Sequence, residues 1–69
     1  MSVSHLVDLI VRSETVGLDE DETIELAALL AVTGLVNTTG SNQRFVANVA
    51  YMWPVEYTDA VALLRQEGQ

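Results

Sequence analysis

The chain predicts an all-α domain, a small bundle of three or four short helices. Three observations carry that reading. Apolar residues recur with the helical period in four segments, and none keeps the strict alternation of a half-buried strand. Capping and turn residues fall between those segments. The 69 residues are 49% apolar, enough for one core and too few for two domains, so residues 1–69 read as a single helical domain.

The first segment covers about 2–13. Val3, Leu6, Val7, Ile10 and Val11 fall on one arc of about 140° of a helix. Asp8 and Arg12 lie on the other side, spaced as a favourable i,i+4 pair. Glu14 would enter the apolar arc, which predicts a stop just before it, with Thr15, Val16 and Gly17 as connector. The second segment covers about 19–33. Its first turns hold Asp19, Glu20, Asp21, Glu22 and Glu25, where carboxylates cap amides and complement the helix dipole. From 26 to 32 every residue is apolar, the mark of a central helix. Gly34 can take the left-handed conformation that ends it.

Residues 35–40 read as a loop, with Leu35 and Val36 tucked into the core. The third segment covers about 41–53, capped by Ser41. Phe45, Val46, Val49, Ala50, Met52 and Trp53 form its apolar arc, with Arg44, Asn48 and Tyr51 opposite. Pro54 disfavours a helical Trp53 and predicts a break. The fourth segment covers about 55–66, with Tyr57, Ala60, Val61 and Leu64 as its stripe. Its start is open between Val55, a Thr58 cap and Pro54 in the first turn, and Gly68 lies just past its end.

Ten acidic residues against Arg12, Arg44 and Arg65 give a net charge of −7 with the lone His5 neutral. That balance excludes direct nucleic-acid binding, which needs cations for phosphates. The absence of cysteine excludes a disulfide framework, a thiolate zinc site and a thiol nucleophile. No basic leader precedes the first apolar stretch, and the longest apolar run, at 26–32, cannot span a bilayer. The expected location is cytoplasmic, away from any membrane.

Size adds a constraint. A chain of this mass should fold to ~4,200 Å² of surface and bury only about 60% of what it exposes unfolded. Such a core seldom leaves more than ~3–5 kcal/mol of net stability. With so much apolar surface and no staple, the sequence predicts a homo-oligomer.

Sites of chemistry are sparse. Asp19, Asp21 and Thr23 fit positions one, three and five of a calcium loop, but Ile24 replaces its glycine and Leu30 its final glutamate. The acidic cluster therefore reads as helix-start chemistry. His5 has neither a cysteine nor a second histidine to share a metal. No base is placed beside Ser2, Ser4, Ser13 or Ser41, and solvated carboxylates lack the burial that tunes a pKa. The sequence thus predicts no enzyme, no cofactor and no metal. Gly40, Ser41 and Arg44, within a Thr-rich helix entry at 38–44, could hold an anion, although no P-loop lysine follows. A helix-turn-helix reading fails on charge and on the long link between Gly34 and Gly40. Tyr51, Met52, Trp53 and Tyr57 concentrate the aromatic content, a composition typical of interfaces, and Leu63 is a further contact candidate.

The stretch 25–44, ELAALLAVTGLVNTTGSNQR, resembles a group of short proteins encoded by tailed phages of actinobacteria. Thr33-Gly34-Leu35-Val36 and Gly40-Ser41-Asn42-Gln43-Arg44 carry the likeness. That group has a tyrosine–glycine pair before the arginine, where this chain has Asn42-Gln43, and the segment after Trp53 is unlike it. The resemblance implies a setting, the cytoplasm of an infected bacterium, and no activity. The resulting expectation is a small non-enzymatic protein that self-associates and binds a host or phage protein. One alternative is an acidic nucleic-acid mimic that occupies a host DNA-binding protein. The other is an anion site at 38–44.

Overall fold

The computed structural model describes residues 3–67. The roles assigned above to Ser2, Gly68 and the Val3 side chain lie outside the described residues. Four helices form: α1 (Val3–Thr15), α2 (Glu20–Thr33), α3 (Gly40–Met52) and α4 (Pro54–Glu67). A 3-10 turn, Leu35–Asn37, joins α2 to α3, and no strand occurs among the described residues. The expected all-α bundle is what the chain builds.

α2 is the axis of the molecule. It packs against α1, α3, α4 and the 3-10 turn, while α1 approaches only α2. Ile24, Leu26, Ala27, Ala28, Leu29 and Leu30 are all buried, as a helix apolar all round requires. Both ends of α2 are fixed by local chemistry. The Asp19 carboxylate accepts from the Glu22 amide at 2.8 Å, and the Glu22 carboxylate accepts from the Asp19 amide at 3.4 Å. That reciprocal capping box contributes about 1 kcal/mol. At the other end Gly34 takes φ 79°, and its amide donates to Ala31 O at 3.3 Å.

α1 departs from the expected orientation. Leu6 and Leu9 are buried, and Leu9, which falls outside the expected arc, is fully buried. Val7 and Val11 are each 51% exposed. The helix is rolled by roughly a quarter turn, because leucines fill the seam with α2 better than the shorter valines. Arg12 pairs with Glu22 of α2 rather than with Asp8. Glu14 does not end the helix, since in this orientation it points to solvent and the helix runs on to Thr15.

The links between helices also differ in detail. Thr39, not Ser41, caps α3, its hydroxyl accepting from the Asn42 amide at 3.1 Å. The helix therefore starts one residue early, at Gly40. Leu35 stays exposed while Val36 packs on the core, because the 3-10 turn presents only one of them inward. α3 ends at Met52, and Trp53 is its cap, donating its amide to Val49 O at 2.9 Å. Met52 is exposed, so it leaves the expected arc. Pro54 opens α4, where its missing N–H costs nothing. Thr58 is no cap: its hydroxyl donates back to Pro54 O at 2.8 Å.

Buried Val46 and Val49 of α3 complete the core, with Phe45, Trp53, Tyr57, Ala60 and Leu64 packed around it. The radius of gyration, 11.1 Å, matches the ~11 Å expected for this length. The accessible surface, 4596 Å², exceeds the ~4,200 Å² of the scaling rule.

Candidate interaction site

The aromatic segment divides at the α3–α4 corner. Trp53 and Tyr57 turn inward and close the core. Tyr51, Met52 and Val55 turn outward, with Tyr51 85% exposed. Pro54 causes the division: the sharp bend puts neighbours in sequence on opposite sides of the chain. Leu63 is 56% exposed and lies elsewhere on α4. The structure therefore does not bring the five expected contact residues into one patch.

Leu63 belongs instead to a groove between α2 and α4 of about 330 Å³. Ile24, Ala60, Leu63 and Leu64 form its apolar lining, and Asp21, Glu25, Glu56 and Glu67 are its carboxylates. The sequence reading missed Glu56 and Glu67 here. Their signal was the spacing Glu56, Ala60, Leu63, Glu67, which places all four on one flank of a helix.

The acidic cluster itself splits between structural and outward-facing roles. Asp19 and Glu22 form the capping box, and Glu22 also meets Arg12. Glu25 accepts from His5, with Nε2 2.6 Å from Oε1. His5 is thus a link between α1 and α2 rather than a solitary surface group. Glu20 and Asp21 are exposed. Three of these five carboxylates are thus engaged in hydrogen bonds or ion pairs within the fold. Among the described residues, no cluster of acidic or histidine side chains is arranged to hold a metal ion.

At the other candidate, Ser41 lines a cleft of about 340 Å³ together with Ile10, Glu14, Leu30, Asn42 and Phe45. An anion there would face the Glu14 carboxylate. The Asn42 amide is already taken by Thr39, and the Asn42 side chain donates to Leu35 O at 3.2 Å. Gly40 and Arg44 do not line this cleft. Among the described residues, the cleft lining contains no arginine or histidine to offset Glu14.

Charge is more sharply partitioned than the sequence reading had it. All ten acids fall before residue 26 or after residue 55, and between those limits the only charged side chain is Arg44. α3 and the corner that follows it carry no carboxylate. No helix among the described residues is long and apolar enough to cross a membrane. No family model, curated protein or solved structure matches the chain.

Proposed function

We propose that this protein is a non-enzymatic interaction module that self-associates and binds a host or phage protein in a bacterial cytoplasm. The observation that carries the reading is the outward apolar corner of Tyr51, Met52 and Val55 on the acid-free part of the chain. Two copies that each carry a charge of −7 repel one another over most of their surface. At this corner carboxylates enter only from α4, as Glu56 and Asp59 beside Val55, so copies that meet through Tyr51 and Met52 juxtapose few of them. Tyrosine and methionine are also side chains that interfaces favour over the remaining surface. The phage setting rests on the resemblance of residues 25–44.

Light scattering over a concentration series tests the proposal. The expected mass exceeds the 7.5 kDa of one chain. Tyr51→Ser combined with Val55→Ser should return it to one chain without changing the helical circular dichroism. A single-chain mass at every concentration would overturn self-association.

A further inference from the structure

The groove between α2 and α4 combines an apolar lining with a carboxylate rim. Leu63 stands more than half exposed within it, beside Ile24, Ala60 and Leu64. Asp21 and Glu25 come from α2, and Glu56 and Glu67 from α4, so negative charge flanks the apolar strip from both helices. Among the described residues, Asp21, Glu56 and Glu67 have no arginine or histidine within ion-pair distance, and Arg12 is committed to Glu22. The four carboxylates are spread along the rim rather than gathered, and they do not converge on a metal ion. A second copy would bring more negative charge to a negative rim, and a nucleic acid would be repelled. The volume of about 330 Å³ admits one or two large apolar side chains.

We infer that this groove binds a cationic amphipathic segment of a partner protein, seating an apolar side chain against Leu63 between flanking lysines or arginines. This deepens the interaction-module reading and rests on it. Burial of apolar area supplies the anchor. The rim supplies faster encounter and rejection of acidic competitors.

The test is an NMR titration of the full chain with a short synthetic helix of Leu, Lys and Ala, its leucines on one stripe flanked by lysines. Saturable shifts are expected at the amides of Ile24, Ala60, Leu63 and Leu64. Glu56→Gln with Glu67→Gln should weaken binding roughly three- to tenfold. Leu63→Ser should weaken it about tenfold. Both variants alter exposed side chains, and circular dichroism checks that they fold. Absence of saturable shifts overturns the inference, as do shifts centred outside the groove. It is also overturned if the charge variant loses binding while Leu63→Ser does not, since that is diffuse attraction to an acidic chain. Light scattering of the same samples separates failure of the groove from failure of self-association. A mass that falls only in Leu63→Ser, with no peptide bound, makes the groove a contact between copies and overturns the inference.

Discussion

α1 and α3 have the same length and both pack against α2, yet they are attached in opposite ways. α1 meets α2 alone, through Leu6, Leu9 and Ile10, and two polar links flank that seam, the Arg12–Glu22 ion pair and the His5–Glu25 hydrogen bond. α3 carries no carboxylate and meets α2, α4 and the 3-10 turn through Val46, Val49 and Phe45. Its position is further set by the left-handed Gly34 and by the Asn42 side chain on Leu35 O. The contrast teaches that one core can have a detachable side and a committed side. Loss of α1 removes one interface, whereas loss of α3 removes three.

Substitutions can sharpen or break that contrast. The largest effect is expected from Leu9→Ala, which empties the centre of the α1–α2 seam. A fully buried leucine cut to alanine costs about 2–5 kcal/mol, comparable to the whole stability of a domain this small. Amide exchange should show α1 released before α3; simultaneous exchange of both would mean the two sides are not separable. Next comes Gly34→Ala. A Cβ there meets nothing within 4 Å, so steric conflict with neighbours is absent. The left-handed φ alone should cost about 1–2 kcal/mol, read by urea denaturation, and it should loosen the α3 side. The smallest effect is expected from Arg12→Gln, below about 1 kcal/mol because the pair is partly solvated. Added salt should shrink the difference between Arg12→Gln and the parent chain, and an undiminished difference would show that Arg12 acts by packing.

Much of this was legible in the residues because the informative signals are local. The acidic first turns, the apolar run of α2 and Gly34 fix that helix with little ambiguity. Pro54 marked the break, although Pro54 itself turned out to start α4. What escaped was side-chain choice among helices. In α1 periodicity admits more than one apolar arc, a valine-rich one centred on Val7 and a leucine-rich one through Leu6 and Leu9; packing on α2 decides between them, and it selects Leu9. Likewise His5 reads as solitary until Glu25, twenty positions away, is brought beside it. The five contact candidates could not be divided from sequence, since only the corner at Pro54 decides that Trp53 faces in and Met52 faces out. The groove was harder still, because it needs α2 and α4 together.

The central position of α2 also orders the events of folding. Its seam with α1 closes over the short connector 16–19, so that hairpin costs little loop entropy and can form and dissolve rapidly. Its contact with α4 must wait until the 3-10 turn and α3 bring Pro54–Glu67 back across it. The slow step therefore belongs to α2 meeting α4. Leu9 makes its contacts before that step and Leu64 makes them in it, so weakening Leu9 should chiefly slow refolding, whereas weakening Leu64 should divide its effect between slower refolding and faster unfolding. The Leu63 groove, built by α2 and α4 together, therefore comes into being only at the last step.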